Sequence, residues 1–197
     1  MNKRGFEKIE NKKVKKEFLQ CKFFLKNRKA QVWVETVIYI LIAFVMIGLV
    51  LSFVKPKIEE LRDKAIIEQS IEIMNNLEKV FSDIIIPGNK RIVEVGIKKG
   101  EMKFSSVNDT IYFEIQSKYI YSEPGEQIAV GNLNITTEEK GKYNLVKIQR
   151  DYSSLYNLTY QNLETDKTFT ASSVPYKLVI SNEGGDSELI KINIDLA

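Results

Sequence analysis

A long uncharged run near the N-terminus constrains the fold of this chain more than any other feature. From Val37 to Val54 there are 18 consecutive residues without a charge, and the apolar stretch extends back to Val32. As a helix rising ~1.5 Å per residue, this stretch would reach about 34 Å, enough to cross a hydrocarbon core of about 30 Å. A buried core helix would normally show polar residues every few positions, which this run does not. We therefore predict a membrane-spanning helix.

Charge is distributed unevenly around this helix. Residues 1–30 carry 11 Lys/Arg and 3 Asp/Glu, a net charge of +8, while the other 167 residues carry 18 and 23, a net charge of −5. Since basic segments beside an apolar helix are retained in the cytoplasm, we predict a single-pass membrane precursor with a cytoplasmic N-terminus. Basic segments also bind nucleic acid, but the position directly before the helix favours the membrane interpretation, and no nucleic-acid partner is expected.

The residue types needed for most enzyme chemistry are scarce. The chain has no histidine, a single cysteine at Cys21 and no glycine-rich phosphate loop. The commonest general base, the commonest metal ligand and any disulfide after residue 21 are thereby excluded. We predict a protein that is not an enzyme and has no catalytic residue, metal site or cofactor.

A possible cleavage motif lies before the apolar run rather than after it. Secretory signal peptides are cut at small residues that follow their apolar segment, and the sequence after Val54, KPKIEELRDK, contains no A-x-A pattern. A small residue does follow a basic pair in the sequence Arg28-Lys29-Ala30-Gln31. Cutting after Ala30 would remove the basic leader and leave the apolar helix at the new N-terminus.

This arrangement resembles an archaeal type IV prepilin with a class III signal peptide. The family pattern has basic residues, a small residue, the cut, commonly Gln, and Glu at the fifth mature position; here these are Arg28, Lys29, Ala30, Gln31 and Glu35. The resemblance covers roughly residues 26–86, with Ala30 in place of the more usual Gly. It implies cleavage by a prepilin peptidase, self-assembly with other pilins, and assembly machinery made of a membrane platform protein with its cytoplasmic ATPase.

Glu35 needs an explanation whether or not the resemblance holds. A carboxylate in hydrocarbon costs on the order of 2.5–3.5 kcal/mol at mid-helix, and less near an edge. Cleavage before Gln31 would create an α-amino group able to pair with Glu35 of the same chain or, as the resemblance implies, of a neighbouring subunit. The alternative is that Glu35 extends to the cytoplasmic interface. We favour a role in assembly.

The remaining sequence predicts an α+β fold. After Pro56, which should kink or interrupt the helix, apolar residues recur every three to four positions until Pro87-Gly88 ends the helix. Residues 31–86 are thus predicted to form a transmembrane and assembly helix that continues into an amphipathic stalk. In residues 87–197, about eight apolar stretches are separated by turn signals, which favours an extracellular antiparallel β-sandwich.

Three N-x-S/T sequons lie in this last region. They begin at Asn108, Asn134 and Asn157. Modification requires an exposed asparagine in a chain that reaches the outer surface. Archaeal surface pilins are often N-glycosylated, so the resemblance implies a glycoprotein.

Taken together, the residues and the resemblance predict the structural subunit precursor of an archaeal type IV pilus-like surface filament, with adhesion among the roles that such filaments have. Two alternatives remain open at this point. One is a minor pilin or pseudopilin that primes or tips a filament, and the other is a permanently anchored surface binding module that never polymerises.

Overall fold

The computed structural model describes residues 28–185 and 189–197, and their side chains from residue 32 onward. A boundary after Lys55 divides the chain into two units. We call residues up to 55 the N-terminal unit and residues 56–197 the C-terminal unit. Residues 1–27, most of the predicted leader, and Cys21 with them, lie outside the described residues.

In the described part of the chain, one long helix is followed by ten strands. Helix α1 spans Arg28–Asp83. The strands are β1 Lys90–Val95, β2 Glu101–Ser105, β3 Thr110–Ser117, β4 Gln127–Val130, β5 Leu133–Glu139, β6 Asn144–Asp151, β7 Tyr156–Tyr160, β8 Lys167–Thr170, β9 Tyr176–Asn182 and β10 Ile190–Leu196. The predicted α+β class, with an apolar N-terminal helix followed by largely antiparallel sheets, is confirmed.

Helix α1 continues through Pro56, contrary to the expected interruption. A proline inside a helix removes one backbone hydrogen bond, and the flanking turns of α1 supply the rest. The helix ends at Asp83, three residues before the predicted end at residue 86. Ile84 still donates its N–H to the carbonyl of Val80, at 3.2 Å, so the last turn closes before the chain leaves for β1.

The strands form two sheets. A four-stranded sheet has the order β1-β9-β10-β7, and a six-stranded sheet has the order β4-β5-β6-β3-β2-β8. Every pair is antiparallel except β7 with β10, where Ile190 lies opposite Tyr156 and Ile194 opposite Tyr160. This parallel pair differs from the purely antiparallel expectation. It arises because residues 152–155 carry the chain from β6 in one sheet to β7 in the other, where β7 runs alongside β10.

A single cluster of buried apolar residues joins α1 to both sheets within the C-terminal unit. From α1 and the residue that follows it, the cluster includes most of the apolar positions that recur at spacings of three and four: Ile66, Ile67, Ile71, Met74, Leu77, Phe81 and Ile84. The four-stranded sheet adds residues such as Leu178 and Ile194, and the six-stranded sheet adds Phe113 and Ile148. By contrast Ile58, Leu61 and Ala65, earlier on the same helix, are exposed.

Candidate functional site

The apolar part of α1 is the most unusual surface of the described chain. Every side chain from residue 32 to residue 54 is exposed, including Trp33 at 74% and Phe53 at 85%. Soluble monomers rarely expose contiguous apolar surface of this extent. Among the described residues one helix, α1, has the length and composition to cross a membrane. The surface is therefore compatible with a single membrane span or a signal anchor.

Glu35 lies near the start of this surface and has one partner on its own helix. The hydroxyl of Tyr39, one turn further along, donates a hydrogen bond to Glu35 Oε1 at 3.2 Å. The hydroxyl of Thr36 likewise donates to the carbonyl oxygen of Val32, at 2.9 Å. The polar atoms at this end of the apolar run are thus partly satisfied within the helix. Tyr39 was missed as a partner of Glu35, although its spacing of four residues was the signal that would have found it.

The predicted cleavage residues lie at the start of the same helix. Arg28, Lys29, Ala30 and Gln31 are helical in backbone conformation. Their side chains lie outside the described residues. The predicted cut and the partner of a new α-amino group therefore remain predictions.

The three predicted glycosylation sites differ in exposure. Asn108, in the turn between β2 and β3, and Asn134, on β5, are both exposed. Asn157 lies on β7 and is only partly exposed, and its Oδ1 is buried without a hydrogen-bond partner among the described residues. Since an oligosaccharide is transferred to the side-chain amide, the geometry favours Asn108 and Asn134 over Asn157.

Asp109, inside the first sequon, holds two segments of the fold together. Its Oδ1 accepts the backbone N–H of Leu158 at 2.6 Å, and its carbonyl oxygen accepts the N–H of Tyr152 at 2.8 Å. Its backbone adopts a positive φ of 49°, which asparagine and aspartate tolerate better than most residues. Burial raises the pKa of the Asp109 carboxyl above its ordinary value, against the opposing effect of the Leu158 hydrogen bond.

A buried carboxylate connects α1 to two loops of the C-terminal unit. Asp63 is 5% exposed, and one of its oxygens forms an ion pair with the ammonium of Lys99, in the β1–β2 loop. Its other oxygen accepts the backbone N–H of Lys118, just after β3, at 2.7 Å. The side chain of Lys118 in turn pairs with Glu59, one turn earlier on α1. Sequence reasoning predicted none of these contacts, because nothing local distinguishes the residues from other surface charges.

The end of α1 is capped by a residue that lies far away in sequence. The side-chain amide of Asn182, at the end of β9, donates to the carbonyl oxygens of Ile84 at 2.7 Å and Ile85 at 3.0 Å. Its Oδ1 accepts the N–H of Gly184 at 2.8 Å. Asn182 therefore satisfies carbonyl groups that a helix end would otherwise leave unpaired.

Within the part of the chain that the structure describes, no group of three or more Cys, Asp or Glu side chains is placed to hold a metal ion. No protein-family model, no curated protein and no solved structure matches the chain. The candidate site among the described residues is the exposed apolar surface of α1 with Glu35.

Proposed function

We propose that this chain is the membrane-inserted precursor of an archaeal type IV pilin-like subunit. In this proposal residues 1–30 form a leader that a prepilin peptidase removes, and the helix beginning at Gln31 inserts in the membrane and then assembles with copies of itself or with other pilins. The mature protein would reside at the cell surface or in an extracellular filament. The activity is structural and involves no catalysis.

The observation that carries the proposal is the position of Glu35 on an exposed apolar helix. Its carboxylate would enter hydrocarbon at a cost that the Tyr39 hydroxyl offsets only in part, because a neutral donor doesn't compensate a charge. A cut after Ala30 would place a cationic α-amino group four residues before it. The pairing of that amine with Glu35 of a neighbouring subunit gives the carboxylate a purpose in assembly.

The same proposal accounts for the architecture of the C-terminal unit. Residues 66–81 of α1 place apolar side chains in one core with both sheets, as an amphipathic stalk under a β-sandwich head would do. Contacts such as Tyr160 with Phe169, whose ring centroids lie 6.3 Å apart, join a strand of one sheet to a strand of the other. Such contacts are expected between two stacked sheets and support the β-sandwich head of the proposal.

Replacing Glu35 by Gln tests the proposal. The variant keeps the size and hydrogen-bonding capacity of the side chain, removes the charge, and should insert at least as well as the wild type. We expect it to reach the membrane and lose its leader but to fail to enter filaments. The measurement is the partition of subunit between membrane and sheared filament fractions at equal expression.

Two control variants make this experiment specific. Glu72→Gln removes the same charge from an exposed position further along α1, where the glutamate forms no ion pair with another described residue, and should assemble normally. Tyr39→Phe removes the hydrogen bond within the helix and should leave assembly largely intact. Equal filament yield for wild type and Glu35→Gln would contradict the proposal and indicate that Glu35 is only tolerated at the membrane interface.

The mature N-terminus separates this proposal from the alternatives. Intact-mass and terminal-peptide analysis should place it at Gln31, and Ala30→Leu should make the precursor accumulate because the cleavage pocket is expected to admit a small side chain. A mature protein that retains Cys21 would favour the permanently anchored binding module. Processed subunit that is scarce in sheared filaments would favour a minor pilin, for which the number of filaments in the whole assembly is the quantity to score.

A further inference from the structure

A basic cleft lies beside the part of α1 that follows the apolar run. It has a volume of about 420 Å³ and is lined by side chains from α1, from the β1–β2 loop and from the end of β3. Four of these side chains are cationic and two are anionic: Arg62, Lys98, Lys99 and Lys118, with Glu59 and Asp63. The hydroxyl-bearing ring of Tyr143 completes the wall.

The two carboxylates of the cleft are already engaged. Asp63 pairs with Lys99 and also accepts the backbone N–H of Lys118, and Glu59 pairs with the Lys118 side chain. Arg62 and Lys98 are both exposed and form no salt bridge with any residue that the structure describes. The cleft therefore has two cations in excess, on walls that the Asp63 contacts hold in a fixed geometry.

The cleft must lie near the membrane surface if α1 crosses the membrane. Glu59 follows Val54, the last residue of the apolar run, by five positions. At most about 3.6 Å per residue, five residues reach no further than about 18 Å in any backbone conformation. That distance keeps at least this wall of the cleft close to the layer of lipid headgroups, where guanidinium and ammonium groups contact phosphate.

We propose that this basic cleft binds a phosphate group, supplied by the headgroup of an anionic lipid while the chain resides in the membrane. Arg62 and Lys98 provide the unpaired charges, and Tyr143 provides a hydroxyl donor at the rim. The contact would orient the C-terminal unit on the bilayer before the subunit leaves it. The inference rests on the membrane insertion in the proposed function but requires neither leader removal nor filament formation.

The test uses the full chain in three kinds of micelle. All are dodecyl maltoside micelles. The first contains phosphatidylglycerol and the second phosphatidylcholine, while the third contains no lipid and has inorganic phosphate added to the solution. The rate of acetylation of individual lysines by an amine-reactive reagent is read by mass spectrometry. Phosphatidylglycerol should slow the acetylation of Lys98 and Lys118 relative to Lys177, which lies on β9 and outside the cleft, and phosphatidylcholine should not.

A matched pair of double variants separates a site from general attraction. The double variant Arg62→Gln with Lys98→Gln should need more phosphatidylglycerol to protect Lys118. The concentration required should rise about fivefold per charge removed, or about 25-fold for both charges. Lys90→Gln with Arg91→Gln removes the same charge from β1, whose residues do not line the cleft, and should leave the protection unchanged.

Three outcomes would overturn the inference. One is the absence of protection in the wild type, a result that needs no variant to fold. Another is equal loss of protection in the two double variants, which would indicate diffuse attraction of a basic surface. The third is protection by inorganic phosphate but not by phosphatidylglycerol, which would show that the bound phosphate group does not come from a lipid. Because the uncleaved chain is used, none of these outcomes bears on the Glu35 experiment.

Discussion

Asp63 on α1 forms an ion pair with Lys99 in the β1–β2 loop, and 36 residues of sequence separate the two. The Asp63 side chain is 7% exposed, whereas the Lys99 side chain is 39% exposed. If the pair is broken, the Lys99 ammonium can turn to solvent, whereas the Asp63 carboxylate stays buried. This asymmetry decides which side of the pair matters for stability.

Asp63→Asn should destabilise the C-terminal unit by about 1.5–3 kcal/mol, the range for hydrogen bonds to charged groups. The change weakens both the pair with Lys99 and the hydrogen bond from the Lys118 N–H. Denaturant unfolding of the full chain in detergent, followed by circular dichroism, measures the loss. Glu94→Gln, which breaks the exposed pair with Lys177, is the control and should cost less than about 1 kcal/mol. Similar losses in both variants would contradict the importance given to Asp63.

Asn182→Ala should destabilise the C-terminal unit by about 2–4 kcal/mol. The substitution removes two donors from the carbonyls of Ile84 and Ile85 and one acceptor from the N–H of Gly184, in a position that is 1% exposed. Asn89→Ala provides the same chemical change at an exposed position and should stay within about 0.5 kcal/mol of the wild type. Thermal unfolding measures the difference, and equal melting temperatures for Asn182→Ala and Asn89→Ala would contradict the prediction.

Asp109→Asn should stabilise the protein at neutral pH, because burial disfavours the charged form of the Asp109 carboxyl. The raised pKa of Asp109 means that the folded state binds a proton more tightly than the unfolded state, so stability falls as pH rises from the ordinary value of 3.8 through the folded pKa. Asparagine keeps the acceptor for the Leu158 N–H and carries no charge. The advantage of the variant should therefore shrink as pH is lowered towards 3.8.

Asp151 provides a control of opposite sign. Hydrogen bonds from Ser153 lower the pKa of its carboxyl, so its contribution to stability is present above the unfolded pKa and is lost as pH falls through the folded pKa. Asp151→Asn should thus be slightly destabilising at neutral pH. Unfolding midpoints measured against pH for both variants give the comparison, and parallel curves would refute the assignment for Asp109.

Gly100→Ala should cost more than Gly141→Ala, although both glycines have a similar positive φ, 80° and 74°. At Gly141 an added Cβ meets nothing within 4 Å, so the cost is the backbone penalty of about 1–2 kcal/mol. At Gly100 the added Cβ would collide with the carbonyl oxygen of Glu114 on β3, and backbone atoms must move. Unfolding free energies of the two variants separate these effects, and equal values would show that the β2–β3 edge adjusts freely.

Turn positions were the part of the C-terminal unit most readily predicted from sequence. The turn pairs predicted between residues 99 and 185 are Lys99-Gly100, Asn108-Asp109, Pro124-Gly125, Gly131-Asn132, Lys140-Gly141 and Gly184-Gly185. Each contains a residue with positive φ, and these are Gly100, Asp109, Gly125, Gly131, Gly141 and Gly184. Whether a residue can adopt a positive φ is decided mainly by its own side chain, or the lack of one. Such local rules can therefore be read without knowledge of the fold.

Strands β2, β5 and β8 match none of the apolar stretches predicted from the sequence, and all three mix polar with apolar residues. On β5, Leu133, Ile135 and Thr137 are all buried, and the threonine breaks the apolar pattern. The strand β8 has a single buried residue, Phe169. These strands are defined by pairing with neighbours, such as Phe169 opposite Met102, and that register isn't encoded in their own residues.

The polar contacts of the C-terminal unit were also beyond local reasoning. Asn182 and Ile84 lie 98 residues apart, and the pairing of Asp63 with Lys99 depends on how α1 packs on the β1–β2 loop. One asparagine or one aspartate on a strand or helix usually points to solvent. Only the folded arrangement distinguishes these two from the others.

The parallel pairing of β7 with β10 sets an order of events during synthesis. Strand β10 lies between β9 and β7, and among the described strands β10 is the one with which β7 pairs. Ribosomes release a chain from its N-terminus, so residues 156–160 must wait, without this partner, until residues 190–196 have emerged. Helix α1 is synthesised well before this sheet can close. If α1 inserts in a membrane as proposed, the chain passes through an interval in which an anchored helix is joined to a C-terminal unit that has not finished folding.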